Sequence, residues 1–198
     1  MSLLLVPLDG TAVAAVIGHK TFGVAKQTFI GCIKISKDIG PDDQSQFAKA
    51  DTSDFISGMN TALSTVTDLI PSVIVAAWES SVNHALELAV RVLPHNEYHP
   101  HSLTCVPQVA NAINLGIPVI VPAGNGAQDA NSVSPARVPG AITVGATTIN
   151  DTFAADFSNF GLNVTILAPG QDILAPEFAG GIPKNGSFVL RSGTSLAA

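Results

Sequence analysis

Charge, cysteine and long apolar runs are all scarce in this sequence of 198 residues, and each scarcity removes a class of function. Charged side chains make up only 12%, the net charge is −6 and no run of Lys or Arg occurs, so there is no electrostatic footprint for nucleic acid or for an anionic membrane surface. No nucleic-acid partner and no membrane partner is expected. No apolar stretch approaches the roughly 20 residues that span a bilayer. Leu3 to Val6 is too short for a signal-peptide core and has no basic residue ahead of it, so the chain is read without an export signal. Two cysteines, Cys32 and Cys105, allow one bridge at most; Cys32 lies in an apolar, strand-like run, which predicts a buried free thiol. The sequons at Asn150, Asn163 and Asn185 matter only if the protein is secreted.

What is present suits one compact domain with a sizeable core. Apolar residues reach 46%, and Gly and Pro are plentiful, as in a globular α/β protein. Asp9 to Gly18 is a run of small residues and helix formers, with Asp9 suited to the N-cap and Gly18 to the C-terminal stop. From Ser53, the spacing of Phe55, Ile56, Met59, Ala62, Leu63, Val66, Leu69 and Ile70 predicts an amphipathic helix. Strands are predicted at 28–36, 72–77, 117–123, 141–146 and 164–168, most of them continuously apolar, with a polar surface loop at 37–52. Continuous apolar strands separated by helices point to a parallel sheet covered on both faces. Three prolines and a polar cluster in Arg91 to Gln108 break what would otherwise be a helix from Val82 towards Leu115, so 91–108 reads as an insertion.

Three stretches, in order, carry a family likeness: Ile117-PVIVPAGN-Gly126 with Ser134-Pro-Ala136, Phe157-Ser-Asn-Phe-Gly161 with Ala168-Pro-Gly170, and Ser192-Gly-Thr-Ser195-Leu-Ala-Ala198. Together they resemble the subtilisin-like serine proteases (subtilases, peptidase S8) of the proteinase K type, and weaker matches at Phe22-GVA-Lys26 and Asp54-FISGMNTAL extend the resemblance over nearly the whole chain. It implies a subtilisin-like α/β fold, a three-layer, doubly wound, mostly parallel sheet flanked by helices, here incomplete at both ends, with residues 1–198 forming a single partial domain. The implied activity is peptide-bond hydrolysis.

By this resemblance Ser195 is the nucleophile, and Asn125 donates its side-chain amide to the oxyanion of the tetrahedral intermediate. Leu196 to Ala198 supply less than one turn, too short for a helix that holds itself together in water, which leaves a disordered chain end as the alternative. Asp9-Gly-Thr-Ala-Val-Ala stands where the family has His-Gly-Thr-His-Val-Ala, so Asp9 occupies the position of the catalytic His. A carboxylate with a reference pKa of about 3.9 is a weak base and is shorter than imidazole, so it is not expected to take that role. His19 lies about 15 Å further along a helix axis. No residue matches the family's catalytic Asp, which precedes the His. The family's Ser-Leu-Gly-Gly edge is matched by Ala77-Trp-Glu-Ser80; Ala77, Trp78 and Glu79, with Gly124, are the candidate substrate-binding residues, and Trp78 and Glu79 are expected to crowd an approaching peptide strand.

The expected partner is a polypeptide substrate, or a propeptide or inhibitor, bound by a monomer. His84, His95, His99 and His101 fit no closed zinc pattern, and no metal or cofactor is expected; calcium sites are common in the family, but no ligand set carries over. The family is usually secreted. A serine endopeptidase, inactive as the sequence stands, is the leading expectation, with a catalytically silent binding module or a non-functional fragment as alternatives.

Overall fold

The computed structural model describes residues 2–6, 10–35, 50–66, 71–82, 105–179 and 182–198. Its centre is a parallel sheet of six strands: β1 (Ser2–Val6), β2 (Ile30–Lys34), β3 (Val73–Ala76), β5 (Val119–Pro122), β7 (Ile142–Thr147) and β8 (Ile166–Pro169), in the order β2-β1-β3-β5-β7-β8. Two short antiparallel pairs accompany it. β4 (Ser80–Ser81) pairs with β6 (Val133–Ser134), and β9 (Ile173–Ala179) pairs with β10 (Ile182–Arg191). Among the described residues the α-helices are α1 (Gly10–Gly18), α2 (Thr52–Thr65), α3 (Cys105–Asn114) and α4 (Thr194–Ala197).

Because side chains alternate across a strand, β3 serves two cores at once. Ile74 and Ala76 join Phe55 and Met59 of α2, Val109 and Ala112 of α3, and Val119 and Val121 of β5. Val75 and Ala77 turn to the other face, where they meet Ala12 and Val13 of α1, Ala175 of β9 and Leu196 of α4. Around β3 and β5 the sheet is therefore covered on both sides, as its continuous apolar strands predict, whereas Ile166 and Leu167 of β8 are exposed. The chain winds from β1 to β2 on one side and then crosses back to β3. The strand order thus reverses beside β1 and β3, and in such sheets ligands bind at the carboxyl ends of the strands around this point.

Several expectations change. Cys32 is free but exposed, because among the described residues β2 is an edge strand and residue 32 faces outward from it. The last residues are not a frayed end: α4 forms with Thr194 and Leu196 buried, since docking against α1 and the sheet supplies what four residues lack alone. Residues 105–108 of the expected insertion form the first turn of α3, where the missing N–H of Pro107 costs no helical bond. Residues 91–104, with His95, His99 and His101, lie outside the described residues, as do His84 and Asp9. The helix predicted to run to Ile70 stops at Thr65, and 67–70 are outside the described residues.

Candidate active site

Two strand ends and α4 build the site. β3 runs into Ala77–Glu79 and on into β4, whose pairing with β6 fixes the far end of that segment. β5 runs into Ala123-Gly124-Asn125, the next turn along the sheet. α4 brings Thr194 and Ser195 beneath them.

Thr194 is fully buried and acts as a latch. Its N–H donates to Asn125 Oδ1 at 2.8 Å and its hydroxyl donates to the same oxygen at 3.1 Å, while Gly124 N–H donates to Thr194 Oγ1 at 3.1 Å. A backbone N–H can only donate, so the oxygen of the Asn125 amide is the atom facing Thr194. Nδ2 is left on the opposite side of an exposed side chain. Ser195 follows at once, half-buried. Gly193 lies beside both groups: a Cβ there would sit 3.3 Å from Ser195 Oγ, a tight contact, and 3.9 Å from Asn125 Oδ1, an ordinary one.

The loop carrying Asn125 is organised by Asn159, fully buried within the Phe157-Ser-Asn-Phe-Gly161 motif. Its Nδ2 donates to the Ala123 carbonyl at 2.8 Å, and its Oδ1 accepts from the N–H groups of Gly126 and Gln128, each at 3.0 Å. Gly124 has φ +105°, and a Cβ on it would overlap the Asn159 amide and sit 2.6 Å from Glu79 Oε2. Only glycine fits there without strain. Gly170, from the Ala168-Pro-Gly170 motif, has a packing role instead: a Cβ would fall 2.8 Å from Ala146 Cβ and 3.0 Å from Ala197 Cβ, so its absence is what allows α4 to dock. Asn159 and Gly170 lie inside motifs read from the sequence, but their individual roles depend on contacts that spacing does not show.

Among the candidate residues, Ser195, Asn125, Gly124 and Glu79 come together, and Ala77 is buried in the apolar cluster that also holds Leu196. Trp78 does not join them. It continues the alternation of Ile74 and Ala76, stacks on Phe55 with ring centroids 4.6 Å apart, and donates its indole N–H to the Ala50 carbonyl at 3.3 Å. The expected crowding by Trp78 is therefore absent. Among the described residues the one histidine, His19, stacks on Phe22 at 3.9 Å, and its Nδ1 accepts from Thr21 N–H at 3.2 Å. It follows the C-terminus of α1.

Glu79 is exposed as a residue, yet its carboxyl lies against Gly124. Desolvation raises its pKa above the usual 4.5, partly opposed by a hydrogen bond from the Asn125 N–H. The native state therefore holds this proton more tightly than the unfolded chain does, and stability falls as pH rises from 4.5 through the raised value. Glu79→Gln is expected to raise the Tm at pH 7 and to leave it unchanged below about pH 4. Equal shifts in thermal scans at both pH values would show that packing, not charge, sets the difference.

The chain is similar to known proteins. Residues 10–198 match the Subtilase family, Peptidase_S8. A subtilisin-like protease of Coccidioides posadasii is 37% identical over 192 residues, covering 96% of this chain and 40% of the relative. An extracellular serine proteinase of Thermus sp. is 35% identical over 188 residues, covering 95% of this chain and 38% of that protein. The chain thus spans about two fifths of the length of the curated relatives it matches. The structure of a cold adapted subtilisin-like serine proteinase superposes with a TM-score of 0.70 at 31% identity, covering 96% of this chain and 56% of that one. With the parallel sheet, the Gly124-Asn125 turn and the Thr194-Ser195 helix start all in their expected order, the chain belongs to the subtilase family of serine proteases.

Proposed function

We propose that this domain is the nucleophile and oxyanion half of a serine endopeptidase site acting on polypeptides. The observation that carries the reading is the Thr194 latch: it turns the amide oxygen of Asn125 inward, so that Nδ2 is the group left to donate to a carbonyl oxygen brought to Ser195. Ser195 Oγ attacks the carbonyl carbon. Charge then develops on the carbonyl oxygen, where a donor fixed in advance stabilises the transition state more than the substrate. The Ser195 N–H, in the first turn of α4 and without an intrahelical acceptor, is the second donor available to that oxygen.

Attack also needs a base to take the Ser195 proton and return it to the leaving amine. Asp9 stands where the family has that His. Loss of the His alone lowers kcat by about 2 × 10⁶ in subtilisin, so hydrolysis by these residues without a base runs near background. This favours a second reading, in which the domain holds a polypeptide without cleaving it.

A peptide boronic acid tests the first reading without requiring turnover. Boron accepts an oxygen from Ser195 and becomes tetrahedral, the serine proton is released, and a boron-bound oxygen takes the place of the oxyanion. Boron NMR is expected to show tetrahedral boron with the unaltered chain, none with Ser195→Ala, and weaker formation with Asn125→Ala. Trigonal boron throughout would remove the nucleophile assignment and leave the binding reading.

A further inference from the structure

We propose that Glu79 selects a cationic side chain, Lys or Arg, on the residue whose carbonyl is presented to Ser195. The inference deepens the peptide-processing reading and rests on it.

Glu79 and the oxyanion donor meet on one residue. The Asn125 backbone N–H donates to the Glu79 carboxylate, while the Asn125 side chain is turned by Thr194 to offer Nδ2. Glu79 Oε2 lies over the Cα of Gly124, in space that any other residue at 124 would fill with its own Cβ. A carbonyl oxygen held by Asn125 Nδ2 therefore has the carboxylate close by. The side chain on that carbonyl's own residue starts only two bonds from the carbonyl oxygen's carbon, and the stems of Lys and Arg are long enough to carry a charged head across to Glu79.

The carboxylate is available for such a partner. Burial raises its pKa, its one stabilising contact is the Asn125 N–H, and no charged group contributes among the described residues. An arriving cation supplies the missing countercharge, whereas an acidic side chain meets like charge in a partly desolvated position. Trp78 leaves the space open because it is turned to the opposite face of the sheet. Charge, not bulk, is then what the Ala77–Glu79 edge presents to the substrate.

Two peptide boronic acids that differ only in the residue bearing boron, one with an arginine-like and one with a leucine-like side chain, test this. The unaltered chain is expected to bind the arginine form more tightly by roughly 10- to 100-fold, as for a hydrogen bond between charged groups. Glu79→Gln and Glu79→Gly remove the preference, Glu79→Asp keeps part of it, and Asn125→Ala weakens both ligands alike. A thermal scan of each variant checks that the fold is intact. Equal binding of the two ligands by the unaltered chain, or a preference that survives Glu79→Gly, overturns the inference and leaves the Ser195 assignment standing. Failure of both ligands to bind overturns both.

Discussion

Replacing Asp9 with His raises Ser195-dependent peptide hydrolysis by about two orders of magnitude. In subtilisin, removing the His costs about 2 × 10⁶ in kcat and removing the Asp about 3 × 10⁴. A chain that regains the His with no matched Asp is expected to recover about the ratio of these, on the order of 70-fold. Asp9 directly precedes α1, and the Ala12–Val13 face of α1 shares one apolar cluster with Leu196 of α4, next to the serine. The residue that leads into α1 is thus one step in sequence from a helix packed on the helix that carries Ser195. Initial rates on a chromogenic peptide are to be compared for Asp9→His with and without Ser195→Ala, and the gain is expected to rise with pH through about 6.5, as imidazole loses its proton. A folded Asp9→His chain with no gain over Ser195→Ala would end the endopeptidase reading.

Asn159→Ala carries the largest expected cost in stability, about 2–4 kcal/mol. The side chain makes three hydrogen bonds from a fully buried position, and its loss leaves the Ala123 carbonyl without its donor in the interior. In a domain of this size that lowers the Tm by roughly 5–15 °C. Asn159→Asp is expected to fall between, because it keeps both acceptor contacts but sets a carboxylate against the Ala123 carbonyl. Calorimetry decides the matter, and a change below about 0.5 kcal/mol would mean that the 123–128 loop is held by other contacts. Tetrahedral boron formation is expected to weaken in the same variant, since the loop that positions Asn125 loses its tie.

The central sheet was readable because its strands are buried on both faces: the runs at 72–77, 117–123 and 141–146 hold β3, β5 and β7. β9 and β10 were not, because Pro176, Pro183 and Gly186 interrupt any strand pattern and the hairpin is defined by its pairing. α4 could not be read from propensity at all, being four residues long and stabilised from outside. The motifs located Ser195, Asn125 and Gly124 as neighbours. They gave the wrong direction for Trp78, because a residue past the end of a strand was judged by its size while the parity of β3 still governs where it points. Cys32 shows the converse: an apolar run predicts burial only if strands flank it on both sides, and among the described residues β2 has a neighbour on one.

The Thr194 latch also fixes when the site can exist. Its bonds to Gly124 and Asn125 close loops of 70 and 69 residues. Contacts so distant in sequence form late, after the entropy of loop closure has been met by other parts of the fold. Asn125 leaves the ribosome long before Thr194 does, and until then its amide has no reason to face one way or the other. Any chain still emerging, or any collapsed intermediate in which α4 is undocked, carries the serine and the amide without their alignment. The order of folding itself thus keeps Ser195 and Asn125 out of alignment until the domain around them is complete.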